Sequence, residues 1–174
     1  MLIPVLIPAY KPGRALVELV RRLSAAAVSA VIIVDDGSGP SYQSLFEELR
    51  LFPRTHLLRH AVNLGKGAAL KTGINYALCN FPCMCGMVTA DADGQHAFED
   101  ILAVAAKIKE GTGALILGVR QFRGNTIPLR SRLGNALTRG VFRVLVGESV
   151  ADTQTGLRGI PAALLPALDR KSVV

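Results

Sequence analysis

Through its first 119 residues the chain alternates short apolar runs of strand character with stretches of helical period. Val5–Pro8, Val31–Val34, Met84–Ala90 and Ala114–Val119 read as strands, with a weaker one at His56–Arg59. Between them, Pro12 to about Ala27, Tyr42–Leu51, Lys66–Leu78 and Phe98–Lys109 read as helices. In the first of these, Leu16, Leu19, Val20 and Leu23 share one face. A run such as VIIV offers no polar position, so it has to be buried on both faces. Strands of that kind, separated by helices, predict an α/β chain with a mostly parallel sheet flanked by helices. The 174 residues suit one domain, 1–174. Half of them are hydrophobic and only 19% are charged, which excludes a disordered chain.

In such sheets ligands sit beyond the carboxyl ends of the strands. Three of those ends carry unusual residues: Pro8-Ala9-Tyr10, Asp35-Asp36-Gly37-Ser38 and Asp91-Ala92-Asp93. Two carboxylates separated by one residue can converge on Mg2+ or Mn2+, with substrate phosphates completing the shell and Gln95 adding an oxygen. A metal-free Asx-turn explains the same residues. An EF-hand beginning at Asp91 fails, because His96 and Leu102 stand where Gly and Glu are required. A phosphohydrolase with Asp91 as nucleophile fits locally, although Gln95 and the mid-chain position speak against it. At Asp35–Ser38 a carboxylate can accept from a nucleobase or ribose, or simply close a turn and cap a helix. Asn63-Leu64-Gly65-Lys66-Gly67 opens a helix and is not a Walker A loop. It is either a Gly-rich turn with an exposed lysine or a seat for an anion beside Lys66.

The net charge is +7, which points to an anionic partner. Nucleic acid is a poor candidate, because aromatics make up 5% and Trp is absent, leaving little to stack on bases. The excess is concentrated: residues 118–158 hold seven arginines against Glu148 and Asp152. Within that segment Leu129–Val146 has Leu133, Leu137, Val141 and Val144 on one side and Arg132, Arg139 and Arg143 on another. A basic amphipathic helix there is either a solvated face or an anionic-membrane contact. Cys79, Cys83 and Cys85 form no disulfide framework and no common zinc spacing, so reduced thiols in or near a core strand and a cytoplasmic setting are expected. The N-terminus lacks the pattern of a signal peptide. The longest uncharged stretch, Thr72–Ala90, spans 19 residues. Asn75, Asn80, Pro82 and Gly86 divide it into a helix end, a turn and a buried strand rather than a membrane span.

Read in order, Ile7-Pro8-Ala9-Tyr10, Val34–Ser38, Asn63–Gly67, Asp91–His96, Gly118-Val119-Arg120 and Asp152–Arg158 resemble family 2 glycosyltransferases. The likeness is strongest to the branch of dolichyl-phosphate mannose synthases and other polyprenyl-phosphate glycosyltransferases. It implies a GT-A, Rossmann-like fold, a nucleotide-sugar donor (GDP- or UDP-sugar), a divalent cation and inversion at the anomeric carbon. By that resemblance Pro8, Ala9, Tyr10 and Asp36 line the nucleoside pocket and Lys66 joins the donor site. Asp91, Asp93 and Gln95 hold Mg2+ or Mn2+. Arg120 and one of Arg130 or Arg132 contact the phosphate of a polyprenyl phosphate acceptor, and Asp152 borders it. Asp91, Asp93, Asp152 and Arg120 are the catalytic set. The resemblance divides the chain into a nucleotide-sugar part, 1–119, and a basic acceptor-side part, 120–174. It implies a protein peripheral on the cytoplasmic face of the membrane. Two departures stand out. Lys11-Pro12 replaces the Asn-Glu usual after Pro-Ala-Tyr, and the chain ends at Val174 where members continue. The expectation is a catalytic domain truncated at its C-terminus, active or reduced to a non-catalytic nucleotide-binding module.

Overall fold

Val5–Ala9 (β1) and Val31–Asp35 (β2) lie side by side in parallel, and their residues are almost all buried. Successive strand side chains point to opposite faces. Val5, Ile7, Val31 and Ile33 therefore enter one core, and Leu6, Ile32 and Val34 enter the other. This double burial is the physical reason the runs carry no polar position. The computed structural model from which these positions come describes residues 2–26, 28–94, 97–111, 113–118 and 156–170.

The full sheet has the order β3-β2-β1-β4-β6-β5, with Thr55–Arg59 as β3, Gly86–Thr89 as β4, Ile116–Leu117 as β5 and Arg158–Pro161 as β6. β3, β2, β1 and β4 are parallel, whereas β6 runs antiparallel to both β4 and β5. The sheet is thus mixed. Val5 pairs with Val31 and Ala9 with Asp35, so β1 and β2 end level with each other.

Arg14–Ala25 (α1), Gln43–Arg50 (α2) and Phe98–Lys109 (α4) cover one face through Leu16, Leu23, Phe46, Leu49, Ile101 and Ile108. Lys66–Asn80 (α3) covers the other with Ala69, Ile74 and Ala77, and packs beside Leu165–Arg170 (α5). The first helix begins two residues later than its period predicts, because Lys11 takes φ +48° and Gly13 is extended.

β6 carries no sequence signal. Gly159 and Pro161 have low strand propensity. What holds it is placement: Leu157 enters the α1–α4 core and Ile160 enters the α3 core. The 72–90 stretch divides as expected into the end of α3, a turn and β4. Among the described residues no helix is long and apolar enough to cross a membrane. Cys83 and Cys85 lie just before β4 as expected, exposed and half-buried, Cys79 is exposed in α3 instead, and all three are free thiols. Gln95, Arg120, Arg130, Arg132, Asp152 and the Leu129–Val146 segment lie outside the described residues.

Candidate active site

The level ends of β1 and β2 bring the Pro8–Gly13 segment against the Asp35–Ser38 turn. Asp35 and Asp36 are both buried, each 2% exposed. Asp35 Oδ1 accepts from the Ser38 N–H at 2.9 Å, and Oδ2 accepts from Arg59 Nε at 3.1 Å. Ser38 Oγ in turn accepts from the Lys11 N–H at 2.8 Å. Asp35 therefore closes the turn and, through Ser38, fixes the backbone after Tyr10.

Asp36 faces the loop that leads into α3. Its Oδ1 accepts from the Leu64 N–H at 2.9 Å and stands 2.7 Å from His60 Nδ1. Its Oδ2 accepts from the Gly65 N–H at 2.8 Å. His60 Nε2 lies 2.9 Å from Thr72 Oγ1, which ties the loop to the body of α3. Gly37 has φ +71°, and a Cβ there would fall 2.3 Å from the Val62 carbonyl carbon. Only glycine fits both the turn and that contact. Burial pushes the Asp36 carboxyl up, but the Leu64 N–H, the His60 ring and the Gly65 N–H outweigh it and hold the pKa below the ordinary value. The turn is consequently a clamp on the 60–65 loop as well as a wall of the site. His60 and Thr72 complete that clamp, and neither stands in a motif that announces it.

The clamped loop delivers Lys66 at the start of α3, where its Nζ reaches Asp91 Oδ1. Asp91 follows β4, and Asp93 is two residues on. Pro8, Ala9, Tyr10, Asp36, Lys66, Asp91 and Asp93 all line one cleft of about 520 Å³. Asn63, the first residue of the Asn63–Gly67 motif, lines it too, as does Lys11, which no motif assigned to the site. A smaller cavity of about 200 Å³ shares Pro8, Lys66 and Asp91 and extends to Thr89, Gly156 and Arg158.

The donor chemistry fits Mg2+ or Mn2+. Asp91 and Asp93 present hard carboxylate oxygens to a cleft wide enough for a phosphorylated ligand, and such cations combine one or two carboxylates with waters and substrate phosphates. Among the described residues no group of three or more His, Cys, Asp or Glu converges. Substrate oxygens would therefore supply part of the shell.

The sequence profile of Glycosyl transferase family 2 matches residues 5–160. UDP-N-acetylglucosamine–dolichyl-phosphate N-acetylglucosaminyltransferase of Methanococcus voltae is 29% identical over 188 residues, covering 98% of this chain and 73% of that protein. Polyprenol monophosphomannose synthase of Mycolicibacterium smegmatis is 29% identical over 175 residues, covering 97% of this chain and 65% of that one. Glucosyl-3-phosphoglycerate synthase from Mycobacterium tuberculosis, crystallised with Mn2+, uridine diphosphate and phosphoglyceric acid, superposes with a TM-score of 0.70. At 17% identity, over 94% of this chain and 56% of that chain, that likeness concerns the fold. The chain spans only part of the length of each of these proteins.

Proposed function

The chain belongs to glycosyl transferase family 2, and from that membership we propose that it moves a sugar from a nucleotide sugar to a polyprenyl phosphate. The observation that carries the proposal is the cleft in which Asp91, Asp93 and Lys66 stand beside the Pro8-Ala9-Tyr10 strand end. Relatives named for dolichyl-phosphate and polyprenol acceptors support the acceptor class. A relative named for UDP-N-acetylglucosamine supports a UDP-sugar as the donor.

Pro8, Ala9, Tyr10 and Asp36 form the nucleoside end of the site. Asp91 and Asp93, joined by Gln95, are the ligands of a divalent cation. That cation, when bound, supplies positive charge against the departing diphosphate. Lys66 exchanges its contact with Asp91 for a donor phosphate. The acceptor phosphate is ionised at neutral pH, so the attack on the anomeric carbon requires no strong base, and inversion follows from a single displacement. Arg120 and Arg130 or Arg132 hold that phosphate by paired hydrogen bonds, with Asp152 at its border. Residues 1–119 then serve the donor and 120–174 the acceptor. The basic Leu129–Val146 segment, with Arg132, Arg139 and Arg143, lies against an anionic membrane on the cytoplasmic side.

The test is to incubate the chain with a panel of UDP- and GDP-sugars, Mn2+ and undecaprenyl phosphate in detergent, and to read products by mass spectrometry. The expected products are a lipid-linked sugar phosphate and an equal amount of nucleoside diphosphate. Donor binding without a lipid product would identify a non-catalytic module, and a phosphorylated Asp91 would identify a phosphohydrolase.

A further inference from the structure

We propose that Gly156 and Thr89 are positioning residues that set the Asp91 carboxylate for its cation, an inference that rests on the metal-site reading above. A Cβ built on Gly156 would fall 2.0 Å from Asp91 Oδ2 and 2.2 Å from both Cγ and Oδ1. All three nearest atoms belong to one carboxylate. No side chain at 156 coexists with Asp91 where it stands. Gly156 lies outside the left-handed region, so its conformation does not call for glycine. The contact does.

Gly156 has little freedom to retreat. Its carbonyl accepts from the Thr89 hydroxyl at 2.9 Å. Thr89 is 4% exposed and closes β4, two residues before Asp91. Leu157, the next residue after Gly156, is buried, and Arg158 then pairs opposite Thr89. The strand that presents Asp91 therefore also fastens the backbone that Asp91 rests on. The same carboxylate accepts from Lys66 Nζ at Oδ1. The atoms that a Cβ at 156 would meet are the far end of the Asp91 side chain, so relieving the contact displaces that carboxylate and takes an oxygen away from the cation position. Groups that orient a metal ligand in this way typically change metal affinity by about 10–100-fold when altered.

The experiment is Mn2+ titration followed by electron paramagnetic resonance on wild type, Gly156→Ala, Thr89→Val and Thr89→Ser. Wild type and Gly156→Ala are repeated in an Asp91→Asn background, and uridine diphosphate binding is measured without metal. Gly156→Ala is expected to weaken Mn2+ by about 10–100-fold and to leave metal-free uridine diphosphate binding unchanged. In the Asp91→Asn background the same substitution is expected to add nothing. Thr89→Val should weaken Mn2+ less, and Thr89→Ser should restore it. Wild-type Mn2+ affinity in Gly156→Ala, or an equal loss in both backgrounds, overturns the proposal. If Asp91→Asn alone still weakens Mn2+ in that case, the metal-site reading survives. If Asp91→Asn binds Mn2+ like wild type, both fall. Should Gly156→Ala fail to fold, equal Mn2+ affinity of Thr89→Val and Thr89→Ser overturns the proposal by itself.

Discussion

Asp35 and Asp36 are neighbours with different work. The sequence presents them as one acidic turn that either binds a ligand or closes itself. In the fold, Asp35 does the closing through Ser38 and Arg59, while Asp36 gathers Leu64, Gly65 and His60. Those partners lie more than twenty residues away in sequence, so no local pattern reveals them. Replacing Asp36 by Asn sets an amide N–H against a backbone or ring donor and should cost about 1–3 kcal/mol at neutral pH. The pH dependence has a definite sign. The folded pKa lies below the ordinary carboxyl value of 3.8, so below that value the unfolded state takes up the proton first. The stabilisation is full above 3.8 and is lost as pH falls through the folded pKa. Urea unfolding should therefore show a gap between wild type and Asp36→Asn at pH 7 that narrows in acid. A gap independent of pH would mean the carboxylate charge contributes nothing.

Elements with a strong period were legible and those held by neighbours were not. The α1 face of Leu16, Leu19, Val20 and Leu23 is buried as its spacing predicts. β1 and β2 follow from their uninterrupted apolar runs. β6 escaped notice because Arg-Gly-Ile-Pro alternates nothing, and its antiparallel pairing with β4 and β5 is a tertiary event. α3 was legible as a helix of small residues, and the structure supplies the reason. Ala69 and Ala77 are fully buried against the β1–β2 side of the sheet. Between them a Cβ built on Gly73 would fall 2.1 Å from Leu6 Cδ1, so the helix lies close on the sheet along this face. Ala77→Leu is expected to lose about 1–3 kcal/mol by overpacking, read as a lower urea midpoint with an unchanged slope. Wild-type stability in that variant would show slack between α3 and the sheet.

At the scale of the whole molecule, parallel strands of matched register bring three motifs, spread over residues 8 to 93 in sequence, to one cleft. That convergence was legible because strand ends follow from the alternation of elements, and each end carried polar residues where a buried strand has none. The proposed acceptor part rests on sequence alone, on the arginines of 118–158 and the motifs among them, because residues 119–155 lie outside the described residues. The cleft proposed for the donor is accordingly where the reading stands or falls. Calorimetric titration of uridine diphosphate into the chain, with Mn2+ and then with a chelator, tests it for wild type and Asp93→Ala. Binding should be clearly tighter with Mn2+ than in chelator in the wild type. The Asp93→Ala chain, still folded because its substitution leaves the core untouched, should bind at least about tenfold more weakly, the ~1.4 kcal/mol scale of one lost charged contact. Equal affinity in chelator and Mn2+, retained by Asp93→Ala, would contradict a metal-dependent nucleotide-sugar site.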